Sequence, residues 1–577
     1  NDQKMIPKIC IAICVFCFHS LLSSQILFEN NAQIRGIDMT CGNGFLGNGV
    51  SFFDYDNDGW DDITLTTDGT NGIAFYKNYD GFFVEQTLNI PLIDYQTKQV
   101  NWVDYDNDGD YDLFVTSDTN GNRLFNNTGN LNFEDVTVAA NLPLDNLFTF
   151  GASWGDYNKD GFLDVFISNR DINLLIPNFL FKNNGDGTFS NVSVAAGIGT
   201  ESHLSFCSAF FDFNNDGFQD IYVSNDKVSH ANLLYHNNAD GTFTEAAAIT
   251  GTDVSIDAMT VTVGDYNNDG WFDLYITNSP TGNVFFRNNG DTTFTDIAAS
   301  TGTTFNSVGW GAVFFDAEND TDLDLYVSAS ETGSSASYIS AAFYRNQGSD
   351  AFTIPNDAGF ANDNRSSYSN AIGDINNDGY ADLVVSNVFN EDIFLWENLS
   401  NTTNNWLKVK LEGTTSNRDG IGSVIEVSAN GGKQYRYTLC GEGYLSQNSG
   451  TEFFGLGPHS VIDYVKVKWL SGTEDILYNV TANQLLTIVE GTSPLSVNEF
   501  ENTAFTITPN PTEDRVSVTS SSLIESVELY NNLGQIVLKS KVNKEQIHLD
   551  LSSYTSGIYI LKASTSSGSS TKKIVKQ

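Results

Sequence analysis

One nine-residue acidic phrase constrains this chain more than any other feature. It reads Asp-Tyr-Asp-Asn-Asp-Gly-Asp-Tyr-Asp over 104–112, and six variants begin at Asp54, Asp156, Asp212, Asp265, Asp316 and Asp374, 50 to 58 residues apart. Positions 1, 3, 5 and 9 carry side-chain oxygens, position 7 offers a backbone carbonyl, and glycine at position 6 permits a tight bend. That is the hard-oxygen donor set of a calcium loop. The implied ligands are Asp54, Asp56, Asp58 and Asp62; Asp104, Asp106, Asp108 and Asp112; Asp156, Asn158, Asp160 and Asp164; Asp212, Asn214, Asp216 and Asp220; Asp265, Asn267, Asp269 and Asp273; Asp316, Glu318, Asp320 and Asp324; and Asp374, Asn376, Asp378 and Asp382. Up to seven calcium ions are expected. The sixth site is expected to be the weakest, because Thr321 replaces glycine at the bend.

A helix–loop–helix calcium site is excluded, because it closes with a glutamate at position 12. Here position 12 is Leu65, Val115, Ile167, Val223, Ile276, Val327 or Val385, each inside an alternating run that predicts a strand. A period of about 50 without helical patterning then predicts an all-β fold, a seven-bladed β-propeller of about four strands per blade. In the second unit the expected strands are Val100–Tyr105, Leu113–Thr116, Arg123–Asn126 and Phe133–Val138. The seventh unit lacks a fourth strand, and Ile26–Ala32 resembles one, so this segment is expected to close the ring and remove its open edges.

The net charge of −44 argues against nucleic acid as a partner. The ligand positions hold 24 of the 72 acidic residues. Seven calcium ions would bring the charge to about −30. Residues 1–24, with Lys4, Lys8 and an apolar run from Ile9 to Phe18, read as an export signal peptide starting at Met5. No later apolar run is long enough for a transmembrane helix. Beyond the signal, Cys41, Cys207 and Cys440 read as buried free thiols, with one pair possible.

The segment Asp265-Tyr-Asn-Asn-Asp-Gly-Trp-Phe-Asp-Leu-Tyr-Ile276 resembles the FG-GAP/VCBS repeat of integrin-α-type propellers, and 25–402 is assigned to that domain. Residues 403–491 form a further β unit. Asn417-Arg-Asp-Gly-Ile-Gly-Ser423, Gly443-Tyr-Leu-Ser-Gln447 and Phe454-Gly-Leu-Gly457 in it resemble the ASPIC/UnbV domain found after such propellers in the CRTAC1-like family. After a linker at 492–499, the phrases Phe505-Thr-Ile-Thr-Pro-Asn-Pro511 and Gly557-Ile-Tyr-Ile-Leu561 resemble a type IX secretion (type A) sorting domain over 500–577. That resemblance implies a C-terminal Ig-like β-sandwich, the type IX secretion machinery as a partner, and release or attachment at the cell surface of a gram-negative, Bacteroidota-like bacterium.

No Gly-x-Ser-x-Gly elbow, His-Glu-x-x-His helix or phosphate loop is present, and the repeated aspartates are consumed as ligands. A ligand must therefore meet the loops at the other end of the strands. Arg170, Asp171, Glu201, His203, Asp226, Lys227 and His230 are the candidates there, together with the long loop Glu331–Ser340. His203 and His230 could converge at one neighbourhood. His236 reads as a surface variable, and Phe53, Trp102, Trp154, Phe211 and Phe315 as core between blades. The resulting expectation is a surface or extracellular adhesion module for carbohydrate or protein ligands. The alternatives are a polysaccharide-degrading enzyme with its active site on that same face, and a purely structural surface component.

Overall fold

The computed structural model describes residues 26–577 except 92, 331–337, 349, 493–504, 532–534 and 566–567. The export signal, nearly all of the 492–499 linker and most of the 331–340 loop lie outside the described residues. Two compact units divide the chain, one reaching Ser493 and one starting at Pro494.

The first unit contains seven antiparallel sheets built from the repeats, each with four repeat strands, numbered here 1 to 7 in order of their calcium-type loops. Their first strands are Val50–Phe53, Val100–Val103, Thr149–Gly155, Ser205–Phe211, Thr262–Gly264, Gly309–Phe315 and Ser367–Gly373. Each acidic phrase joins a sheet's first and second strands. Sheet 7 is completed by Phe28–Asn30, which pairs antiparallel with Phe394–Asn398, Phe28 opposite Asn398 and Asn30 opposite Trp396. The closing segment is therefore the one that 26–32 predicts. These sheets and the repeats that build them fit a propeller.

Burial explains why each sheet needs its neighbours. The second strands, such as Asp164–Asn169 and Asp220–Asn225, are buried throughout, so both of their faces must be covered by apolar side chains. Separate clusters join sheets 1 and 2 (Phe53, Trp102, Leu113), 2 and 3 (Phe114, Trp154, Val165), 3 and 4 (Tyr157, Phe210, Ile221), and 4 and 5 (Phe211, Tyr222, Leu274). Others join 5 and 6 (Tyr275, Phe314, Leu325), 6 and 7 (Phe315, Phe343, Leu383), and 7 and 1 (Val384, Phe52, Ile63). All five aromatic residues expected between blades are buried.

The sheets following the seventh do not stand apart from the repeats. A four-stranded sheet (Gly432–Tyr437, Val424–Ala429, Val461–Lys468, Glu474–Thr481) and a three-stranded one (Glu452–Gly457, Asn405–Glu412, Leu485–Val489) share a core of Leu407, Val427, Phe454, Val465 and Trp469. From this domain the segment 440–449 enters the space between the seven first strands. It touches every sheet: Ser446 pairs in parallel with Val50, and Gln447 exchanges two hydrogen bonds with the Trp102 backbone. Trp154 N–H donates to the Cys440 carbonyl, Gly443 N–H to that of Val261, and Ser449 N–H to that of Ile372. The Tyr444 ring lies 5.6 Å from Phe206 and 5.0 Å from Trp310, and its hydroxyl donates to the Leu46 carbonyl. Gly441 is required for this passage: a Cβ there would stand 2.3 Å from the Ala152 carbonyl oxygen. This further β unit has a core of its own and is anchored through the centre of the repeats. Its polar, glycine-rich phrase reads as an ordinary loop until the strands around it are known.

The second unit has strands Phe505–Thr508, Arg515–Tyr530, Ile536–Asp550, Gly557–Thr565 and Gly568–Lys576 around Phe505, Val518, Leu529, Leu561 and Ile574. Among the described residues all five strands are joined by hydrogen-bonded pairing, and the long strand Arg515–Tyr530 passes through register shifts. Cys41, Cys207 and Cys440 are buried free thiols.

Candidate metal loops and the open loop face

Each acidic loop is shaped by its own carboxylates before any ion is considered. The first-position aspartate accepts from the backbone N–H groups of positions 5 and 6, as Asp104 does from Asp108 at 3.0 Å and Gly109 at 2.9 Å. The ninth-position aspartate ties the loop to the third strand: Asp112 accepts from Asn127 N–H at 2.8 Å, and Asp164 from Asn183 N–H at 2.8 Å. Position 4 is left-handed in all seven loops, and position 6 is a left-handed glycine except at Thr321, whose φ is 91°. The departure expected to strain the sixth loop is therefore present in the backbone.

These carboxylates are costly to hold together. Burial, then the neighbouring Asp419, pushes Asp104 up to about 7, and burial pushes Asp112 up to about 9. In three loops, oxygens of Asp54, Asp56 and Asp58, of Asp104, Asp106 and Asp108, and of Asp316, Glu318 and Asp324 lie within 4.8 Å of one another. Asp56 Oδ1 and Asp164 Oδ2 lack a hydrogen-bond partner. Clustered, partly orphaned hard oxygens fit a divalent cation such as calcium, which would neutralise the charge and satisfy the free lone pairs.

Cationic side chains from the third strands reach the same loops. Lys77 pairs with Asp56 and Asp58, Lys182 with Asp160 at 3.3 Å, and Arg345 with Glu318 at 2.5 Å. His236 is no mere surface variable: its Nδ1 lies 3.1 Å from the buried Asp220, and that hydrogen bond raises its pKa.

A second device escapes a reading focused on acids. Asn57, Asn107, Asn215, Asn268, Asn319 and Asn377 at position 4 donate to the position-6 carbonyl of the next loop at 2.8–3.5 Å, and Asn377 to Gly59 joins the seventh loop to the first. In the third loop Lys159 stands at this position and packs over Phe218 instead. The signal was visible as asparagine in six of seven copies. The side-chain carbonyls of three of them meet the middle domain: Asn377 accepts from Lys408, Asn57 from Lys410, and Asn107 from the Arg418 N–H. Lys408 also reaches the buried Asp374 at 3.0 Å. The middle domain therefore lies over the acidic loops.

The opposite loops hold the other candidates. Arg170 donates twice to the buried Asp226 and stacks 4.9 Å from the Phe206 ring centroid, while Lys227 pairs with Asp226 at 2.8 Å and Asp257 at 3.6 Å. The His203 and His230 rings are 6.2 Å apart, and burial followed by His230 lowers the His203 pKa. Asp171 is occupied within its own turn, accepting from Asn173, Leu175 and Ile176 N–H groups. Glu201 is exposed. Sequence reasoning missed Lys98, which is fully buried beside them, donates to the Gly47 carbonyl at 3.0 Å and lies 3.8 Å from Asp118; burial depresses its pKa to about 8.

The comparisons define the class. An FG-GAP-like repeat model matches residues 54–115, 104–167, 177–223, 212–276 and 265–327, and an FG-GAP repeat matches 366–389. The ASPIC and UnbV model matches 413–495, and a secretion system C-terminal sorting domain matches 506–577. The chain is thus an FG-GAP-repeat protein with an ASPIC and UnbV domain and a tail that marks it for export. It is similar to cartilage acidic protein 1 of Mus musculus, 23% identical over 61% of this chain and 46% of the relative. To the Homo sapiens protein it is 28% identical over 32% of this chain and 28% of the relative. The alignments therefore span less than half of each of these relatives. Among solved structures, the extracellular domain of a putative one-component system from B. thetaiotaomicron matches at TM-score 0.35 and 12% identity, covering 96% of this chain and 60% of that one. The SapL1 lectin in complex with alpha methyl fucoside matches at TM-score 0.33 and 11% identity, covering 55% of this chain and 96% of that one. Both likenesses are loose. Among the described residues no helix is long and apolar enough to cross a membrane.

Proposed function

We propose that this is an extracellular or cell-surface binding module of a Bacteroidota-like bacterium, a calcium-stabilised propeller whose open loop face engages carbohydrate or a surface protein. The type IX secretion machinery would deliver it. The observation that carries this reading is the asymmetry of the two faces: the middle domain occupies the acidic-loop side, while the opposite loops present Lys227, His203 and His230, with the largely buried Arg170 sharing Asp226 with Lys227. Arg170 is held by Asp226 and Phe206, so its guanidinium is pre-organised at little further entropic cost. The acidic loops would hold calcium through the 28 side chains at positions 1, 3, 5 and 9, with the Thr321 loop the weakest.

The full exported chain, loaded with calcium, is to be passed over immobilised algal and bacterial polysaccharides and surface-protein extracts, with retention and product size followed together. Retention without shortened products, lost in Arg170→Ala combined with His230→Ala, is the expected result. Shortened products would replace the binding reading with hydrolysis, and retention untouched by the paired variant would move the site elsewhere.

A further inference from the structure

The first acidic loop differs from the other six in one respect. Asp104, Asp156, Asp212, Asp265, Asp316 and Asp374, the other first-position carboxylates, are 0–7% exposed, whereas the Asp54 side chain keeps 13% of its surface open. Asp54 and Asp58 line a cleft of about 260 Å³ between this loop and the middle domain. The far wall is formed by Lys410 from strand Asn405–Glu412 and by Leu485 and Thr487 from strand Leu485–Val489, with Tyr111 in the floor.

We propose that this cleft is a calcium-dependent site for a uronate residue of an acidic polysaccharide. The proposal goes beyond the open-face reading but rests on calcium binding at the first loop. Charge supports it. Around the cleft and its loop, Asp54, Asp56, Asp58, Asp61 and Asp62 stand with three ammonium groups: Lys77 at 2.8 Å from Asp58, Lys410 at 3.8 Å from Asp54, and Lys408, which lines the cleft with Asp61. With all eight ionised, the site carries a net charge of about −2 and repels an anion; a divalent ion brings it to about zero and adds a hard acceptor for carboxylate oxygens. Lys410 remains 28% exposed, so its ammonium is available to the same carboxylate.

Size and lining narrow the ligand. The volume lies just below the roughly 300–1,000 Å³ typical of pockets for drug-sized molecules, which suits a single sugar ring. Leu485 is 42% exposed and supplies an apolar patch for a ring face. The neighbouring exposed Thr487 supplies a hydroxyl for ring oxygens. A neutral sugar would gain neither the ammonium contact nor the charge complementarity.

The test uses the full chain and trigalacturonate as probe, followed by titration calorimetry in calcium, with a separate calcium titration of the same preparation. Binding in calcium, its loss on chelation, and at least tenfold weaker binding in Lys410→Met are expected. Leu485→Trp, at an exposed position, should block the cleft without unfolding the chain, as an unchanged thermal midpoint would verify. A neutral galactose trimer should not bind. Trigalacturonate binding unchanged in both variants, or absent from protein that the calcium titration shows to be loaded, would overturn the site. Absence of calcium binding altogether would overturn the calcium reading, and this proposal with it, while leaving the open-face assignment to its own test.

Discussion

The two loop faces of the repeat unit are built to different rules. On the acidic side every copy repeats the same hydrogen bonds from first-position carboxylate to backbone, six of the seven repeat the bond from position-4 asparagine to the next loop, and a second domain is seated over them. On the other side an asparagine bond to the backbone recurs at the base of four loops, but the side chains above it differ: one loop carries a double Arg170–Asp226 contact, the next a histidine pair, and apolar side chains such as Phe45, Ile172, Leu175 and Phe389 stand 60–79% exposed. Repetition marks the face that maintains the fold, and irregularity marks the face free to specialise.

Chelation should have the largest effect of any perturbation of this contrast. With free calcium 100-fold above Kd, each loaded loop adds about 2.7 kcal/mol. A calorimetric scan in chelator should therefore show a strongly lowered midpoint, and an unchanged one would leave the acidic face no more dependent on metal than its counterpart. Next is the plug. Tyr444→Ala removes a buried ring and should cost about 3–5 kcal/mol in denaturant unfolding.

Glu490 gives a pH signature of similar size within the middle domain. Burial opposes its ionisation, but hydrogen bonds from the Ser471 hydroxyl and the Thr415, Ser416 and Thr414 N–H groups hold its pKa down, from 4.5 to about 2. A depressed folded-state pKa means that this stabilisation, about 3 kcal/mol by linkage, is present above pH 4.5 and lost as pH falls towards about 2. Acid unfolding of Glu490→Gln should lack that component.

Asn319→Gly keeps the left-handed backbone accessible and removes only the bond to the Gly379 carbonyl, so a loss of about 1 kcal/mol is expected. Smallest of all, Lys227→Ala on the exposed rim should change stability by no more than about 0.5 kcal/mol while altering ligand retention. A large destabilisation there would blur the division between the faces.

Much of this architecture was legible in the sequence for a physical reason. Aspartates and glycines at fixed offsets, followed by aliphatic position-12 residues, report a local turn and strand that need no distant information. The closing strand could be read because one repeat was short by one element. The central segment 440–449 could not, because Gly441, Ser446 and Gln447 acquire neighbours only when strands far away in sequence surround them, Ala152 for Gly441 and, 347 and 345 residues away, Gln99 and Trp102 for the other two. Position-4 asparagine was visible as a pattern, yet its role depends on where the next loop sits. Lys98 was hidden because a lone lysine in a polar stretch reads as solvated, whereas the fold closes over it.

The most direct test of the central claim, that calcium organises one face and its docked domain while the other stands independently, is amide hydrogen exchange of the full chain with calcium and with chelator. Loss of protection confined to the seven acidic loops and to 440–449, with the backbone around Arg170 and Asp226 unchanged, is the predicted result. Equal loss on both faces, or none on either, would contradict it.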